Sequence, residues 1–255
     1  MRFTFSRRQD GCSMLDQSQV DAWLADFLAK LRKRFGDRLV FVGHHGSWAR
    51  GEPRPESDID CTVVLDRVED DDLTTFRDII NAMPNAQSVA SGLLLSVAEL
   101  KQMPRYEHMQ FFYGCKVFHG SIDHLITPPP SESLIADIKF KASDNLHAAR
   151  HYLLFPHELP KVVHKLKYHF KNCFYALQWW VLINESKFIP RKDDIIEMLD
   201  DTDDKEVVRV ARDWHKLEDD RTQRPAYYIE LLERWSRGMI AKLETYEKIR
   251  GTNET

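Results

Sequence analysis

Gly46-Ser47-Trp48-Ala49-Arg50-Gly51, followed after a short polar segment by Ser57-Asp58-Ile59-Asp60, decides how the rest of this chain is read. Two apolar runs flank it. Leu39-Val40-Phe41-Val42 precedes it, and Ile59, Cys61, Val63 and Leu65 follow on alternate positions. Each run predicts a strand. Gly46-Ser47 then falls where a strand ends and a short helix begins, a place with free backbone N–H groups suited to an anion. Gly46 would let the backbone approach a phosphate, and Ser47 adds a hydroxyl. Asp58 and Asp60 are two apart on the second strand, so their side chains leave the same face roughly 6–7 Å apart. Two carboxylates facing a phosphate cradle are what a Mg²⁺-dependent phosphoryl-transfer site requires.

The stretch GSWARGEPRPESDID (46–60) resembles the signature of the DNA polymerase β superfamily of nucleotidyltransferases. That signature is a Gly-Ser, a short helix, and then an Asp-x-Asp on the next strand. It is similar to the version found in minimal and antibiotic nucleotidyltransferases. The resemblance implies Asp58 and Asp60 as catalytic residues and Mg²⁺ ligands, for one ion or two. It implies Gly46, Ser47 and Arg50 as nucleotide-binding residues and an NTP, taken as ATP, as substrate. Arg50 has a second reading, an ion pair with Glu52 or Glu56 that anchors the loop. Ser57 reads as a turn residue. The family adds a third carboxylate on the next central strand. Counted back from Ser96 and Glu99, which read as a capping box, that position is Ser91. No Asp or Glu lies in Val89–Leu95. Glu99 is the nearest acid, and its capping role is the simpler account.

Composition sets outer limits. A chain of 255 residues with 43% hydrophobic and 30% charged residues can bury one large core or two small ones. A net charge of −4 gives no global reason to expect nucleic-acid binding. The four cysteines, Cys12, Cys61, Cys115 and Cys173, have no paired spacing, which argues against a zinc site or a disulfide scaffold. The first residues show no apolar core of a signal peptide, and no run reaches membrane-span length. The expectation is a cytoplasmic protein without membrane contact.

Along the chain, residues 1–15 read as loosely ordered. A helix is expected from Ser18, capped with Asp21, and ended by Gly36. Strands follow at 39–43 and 59–65, a helix at 70–83 with Leu73, Phe76, Ile79 and Ile80 inward, and a strand at 89–95. A helix near 106–113 leads to a short edge strand at 116–118. Pro128-Pro129-Pro130 is the strongest boundary. Beyond it, segments 132–155, 161–184, 192–200, 203–218 and 225–249 read as helices. The expected fold is therefore α+β: a nucleotidyltransferase domain with a mixed sheet over 1–126, then an all-α helical bundle over 131–255. This order resembles the kanamycin nucleotidyltransferase family, and also minimal nucleotidyltransferases joined to a HEPN-type bundle.

The helical half offers other groups. His147 and His151 share ligand-like spacing, without a third ligand, and read as surface histidines. Arg150 and His157 fit the loose Arg-x(4–6)-His pattern of HEPN ribonucleases, but Pro156 lies between them and breaks a helix. The acidic residues from Asp193 to Asp204 read as a solvated face, or as an attraction for a cationic aminosugar. Lys161, Lys165, Lys167 and Lys171 read as a solvated face beside core aromatics, or as the lining of a nucleotide-facing groove. The function expected is Mg²⁺-dependent transfer of AMP from ATP to an acceptor hydroxyl on a small molecule or macromolecule. The competing expectation is a nucleotide-binding regulator or toxin–antitoxin component with a degraded site. The acceptor is open, and so is oligomeric state, a homodimer included.

Overall fold

The computed structural model describes residues 15–54, 57–156 and 162–253. Apart from Leu15, the segment expected to be loosely ordered lies outside these residues, as do Glu56, His157 and Lys161. Two compact units adjoin in sequence at Pro129 and Pro130.

The first unit is built on four strands: β1 (Leu39–His45), β2 (Ile59–Leu65), β3 (Ala90–Ser96) and β4 (Lys116–His119). They lie in the order β3-β2-β1-β4. β1 runs antiparallel to β2 and β4, whereas β2 and β3 are parallel, so the sheet is mixed. A parallel pair needs a crossover. Helix α3 (Asp70–Asn81) and the single turn α4 (Ala86–Val89) lie in it. β1 runs two residues past its expected end because His44 and His45 still pair with Cys61 and Asp60.

Period-two alternation divides β2 between two cores. Ile59, Cys61, Val63 and Leu65 join Trp23, Leu24, Phe27 and Leu31 of α1 (Gln17–Phe35). Val64 packs instead with Phe41, Leu100, Phe111 and Ile126 on the opposite face. Asp60 and Thr62 share the parity of Val64 and belong to that second face.

Three local expectations are corrected. The cap of α1 is Asp16, two residues before Ser18, with Asp16 and Gln19 exchanging hydrogen bonds of 2.8 Å. Leu73 on α3 is 60% exposed, while Asp72 and Ile79 are buried. Arg38 grips Asp72 at 2.7 Å, so a buried ion pair rather than a leucine occupies the inner face of the first turn. The helix expected over 203–218 ends at Asp213. A 3₁₀ turn at Trp214–Lys216 follows, then a separate helix at Glu218–Gln223 whose Arg221 stacks on Trp214.

Among its described residues the second unit carries no strand. Its helices are α7 (Ser131–Leu154), α8 (Leu166–Glu185), α9 (Lys192–Met198), α10 (Thr202–Asp213), α11 (Glu218–Gln223) and α12 (Pro225–Asn253), the last opened by a proline at its first position. In the first unit, α2, α5 and α6 are the short helices Gly46–Ala49, Val97–Gln102 and Met109–Tyr113. The expected face of α8 holds, with Leu166, Phe170, Phe174, Leu177 and Val181 buried. Val163 precedes α8 in a 3₁₀ turn and is half-buried. No described helix is long and apolar enough to cross a membrane.

Candidate active site

The end of β1 and the start of β2 bring the quoted stretch together. Gly46 opens α2 with φ +81°, in the left-handed region that favours glycine. A Cβ built on Gly46 would run into the Asp60 carboxylate. Glycine at this position therefore makes room for Asp60, a requirement additional to the phosphate approach expected from sequence. α2 has only four residues, so none of its N–H groups has an intrahelical partner.

Ser57 joins the two sides of the site. Its Oγ accepts from Ser47 Oγ at 2.8 Å and from the Arg54 backbone N–H at 2.8 Å. Its carbonyl oxygen accepts from Trp48 Nε1 at 3.3 Å. The residue before Asp58 is thus tied to the first turn of α2 from two directions. The turn reading of Ser57 holds, and the residue also sets the spacing of the two motif halves. Asp58 lies one residue before β2 begins, and Asp60 is the second residue of that strand.

Pairing across the sheet forms a row. Asp60 stands opposite His45 on β1 and opposite Ser91 on β3. His45 Nε2 lies 3.0 Å from Thr62 Oγ1, on the same face as Asp60. β3 carries no acid at any position. Glu99 is committed elsewhere. It accepts from the Ser96 backbone N–H at 2.7 Å and from Ser96 Oγ at 2.8 Å. The bond from the Ser96 backbone, reinforced by its hydroxyl, holds the Glu99 carboxyl below its ordinary range. Glu99 is a helix cap, as its spacing predicted.

Arg50 sits 3.7 Å from Glu52 and is mostly buried. That separation is long for a hydrogen bond, and Arg50 Nε has no hydrogen-bond partner among the described residues. The pairing with Glu52, one of the two sequence readings, is present as an ion pair. On the other face of β1, burial pushes the His44 imidazole down to about 4, helped by nearby His45 and Lys116. His44 is therefore neutral at physiological pH.

The described residues contain no cluster of three or more His, Cys, Asp or Glu side chains able to hold a metal. His147 and His151 are exposed on α7, in keeping with surface histidines. The acidic residues from Asp193 to Asp204 are less solvated than expected. Asp204 is buried and meets Lys242 at 2.6 Å, and Asp203 meets Arg234 at 3.1 Å. Lys165, Lys167 and Lys171 are exposed, in keeping with a solvated face.

Residues 24–112 match the family model described as nucleotidyltransferase domain. This part of the chain is a nucleotidyltransferase domain. It includes β1, α2, β2 and β3, and with them every residue of the row and the Gly-Ser turn. A search of curated protein sequences gives no match. Among solved structures, the chain is similar to spectinomycin adenyltransferase from Enterococcus faecialis, solved with ATP and spectinomycin. The identity is 13% and the TM-score 0.51, over 85% of this chain and 99% of that one. At this identity the likeness concerns the fold. Coverage of 85% exceeds the first unit alone, so the likeness of the nucleotidyltransferase domain continues into the helical unit.

Signals for Ser57, His45 and Thr62 were weaker in the sequence. Serine before an acidic pair reads as a turn, and only strand pairing puts His45 and Thr62 beside Asp60.

Proposed function

We propose that the protein transfers a nucleoside monophosphate from an NTP, with ATP as donor, to an acceptor hydroxyl in a Mg²⁺-dependent reaction. The observation that carries this reading is the Asp60 carboxylate set against Gly46, with Ser57 tying Asp58 to the Gly-Ser turn. Asp58 and Asp60 fit Mg²⁺ by donor chemistry. Mg²⁺ takes hard oxygens and is commonly held by one or two carboxylates plus substrate phosphates, so a third protein ligand is not required. When bound, the ion would offset phosphate charge as the nucleotide reacts.

The chain's own residues supply binding and orientation. The free N–H groups of Gly46 and Ser47, with the Ser47 hydroxyl, hold the β- and γ-phosphates. Ser57 fixes that cradle relative to Asp58. The acceptor oxygen forms a bond to the α-phosphorus while the bond to the β-phosphate oxygen breaks. Pyrophosphate leaves, and the acceptor hydroxyl gives up its proton to solvent water. In-line positioning of the two oxygens is the main contribution to rate. Arg50 is assigned to holding the loop through Glu52. ATP as donor is supported by the fold-level similarity to an adenyltransferase solved with ATP. That enzyme's second ligand, spectinomycin, supports a small hydroxylated acceptor here.

The test is transfer of label from α-³²P-ATP to a panel of aminocyclitols, sugars and cell extract, with and without Mg²⁺. Metal-dependent labelling is expected in the wild type and its loss in Asp58→Asn/Asp60→Asn. Isothermal titration with Mg-ATP separates binding from transfer. Unchanged affinity in the double variant would remove the metal role.

The absence of an acid on β3 favours a second reading, a nucleotide-binding regulator or toxin–antitoxin component. Saturable Mg-ATP binding with no labelled product from any acceptor or extract would select it.

A further inference from the structure

A cavity of about 220 Å³ lies in the first unit beside α5 and the segment that follows β4. It is lined by Lys101, Arg105, His108, Asp123 and Thr127, among others. β2 and β3 run in parallel from the Asp60–Ser91 row toward α5, which begins directly after β3. Five residues of strand separate Ser91 from Ser96, roughly 17 Å. The cavity is therefore distinct from the candidate active site, and its reading is independent of the proposed reaction.

The polar groups of its wall fall into two kinds. Lys101 and Arg105 are exposed cations, and neither makes an ion pair among the described residues. Arg105 is anchored by Nη2, which lies 3.0 Å from Thr127 Oγ1 and 3.3 Å from the Pro128 carbonyl. Its fork is thereby held at the cavity wall. The other kind accepts hydrogen bonds. His108 is 2% exposed, and its Nε2 lies 2.8 Å from the Leu100 carbonyl oxygen. Nε2 must carry the proton there, because a carbonyl only accepts. Nδ1 is then an acceptor, and it is buried without a hydrogen-bond partner. Its burial keeps Nδ1 out of reach of anything held in the cavity, which leaves Asp123 as the accessible acceptor. Asp123, on the same wall, adds a carboxylate that accepts from Ser121 Oγ at 3.2 Å.

We propose that this cavity binds a small hydroxylated phosphomonoester, with Lys101 and Arg105 on the phosphate and Asp123 on a hydroxyl group. Two cations without carboxylate partners suit a dianion. An aspartate would be a poor neighbour for a bare phosphate filling the space, but suits a ligand O–H donor.

Glycerol 3-phosphate is the probe, titrated calorimetrically into the full chain, with inorganic phosphate and glycerol as the two halves of the ligand. Saturable binding of glycerol 3-phosphate is expected, tighter than either half. Lys101→Gln should weaken it about tenfold, the cost of one charge-assisted contact. Asp60→Asn should bind the probe as the wild type does. Failure to saturate overturns the proposal. So does phosphate binding as tightly as glycerol 3-phosphate, affinity unchanged in Lys101→Gln with Arg105→Gln, or loss of binding in Asp60→Asn.

Discussion

The carboxylate of Asp60 fills the space that a Cβ on Gly46 would take. Two constraints meet at Gly46, since its φ of +81° also disfavours any side chain. Gly46→Ala is expected to cost about 1–2 kcal/mol for the backbone alone, and to push Asp60 aside. A displacement near 1 Å at a positioned group costs about 100-fold in rate. Thermal unfolding should show a modest loss while labelled-nucleotide transfer falls at least that far. A variant as active as wild type would show that Asp60 need not stand where it does.

Ser57 offers a subtler test of the same geometry. Removing its hydroxyl strips an acceptor from both Ser47 Oγ and the Arg54 backbone N–H. Ser57→Ala should lower stability by about 1 kcal/mol and weaken Mg-ATP binding by more than that loss explains. Ser57→Thr keeps the hydroxyl and should restore both. Equal affinity in the alanine variant would reduce Ser57 to an ordinary turn residue.

The contrast between Ser57 and Ser96 shows what the chain discloses by itself. Ser96 and Glu99 announce a capping box because that interaction is local, three residues long, and has one geometry. The Gly-Ser turn and Asp58/Asp60 were legible because strand period and glycine position are likewise local. The β2 span came out correctly from alternation alone. What escaped depends on partners far away in sequence. The helical stripe predicts Leu73 inward because an apolar residue fits it, yet Arg38, 34 positions before Asp72, makes Asp72 the buried member. His45 and Thr62 flank Asp60 only once β1 and β2 are paired. The acidic stretch reads as solvated in the sequence, whereas Lys242 on α12 lies against Asp204.

The Arg38–Asp72 pair carries a pH signature. Hydrogen bonds from the Arg38 guanidinium, and from the Glu69 backbone N–H, hold the Asp72 carboxyl below its ordinary 3.8 despite the opposing effect of burial. A depressed carboxyl stabilises the fold fully above the unfolded value and ceases to do so as pH falls through the folded one. Asp72→Asn should therefore cost about 2–4 kcal/mol at pH 7, where it leaves Arg38 without its buried partner. The gap between wild type and variant should hold down to about pH 4 and close below it. Denaturant titrations at pH 7, 5, 4 and 3 measure that gap. A difference independent of pH would show that the carboxylate charge is not what stabilises α3.

Ser91 stands opposite Asp60 in parallel register, so its side chain shares the face of that carboxylate. Ser91→Asp would put a third acid on the row His45–Asp60–Ser91 without moving the backbone. A positioned general base is worth about 10²–10⁴-fold in rate. If proton removal from the acceptor limits the wild type, single-turnover pyrophosphate release at saturating Mg²⁺ should accelerate in the variant, with Mg-ATP affinity changed far less. The serine is half-buried on an edge strand, which leaves a longer side chain room to reach the face. If the base already stands elsewhere in the chain, the added charge instead crowds Asp60 and release slows. A fast wild type slowed by the substitution would sink the view that this site is degraded. It would direct the search for the base away from β3. No release from either protein, with Mg-ATP still bound, would transfer the case to a nucleotide-binding regulator.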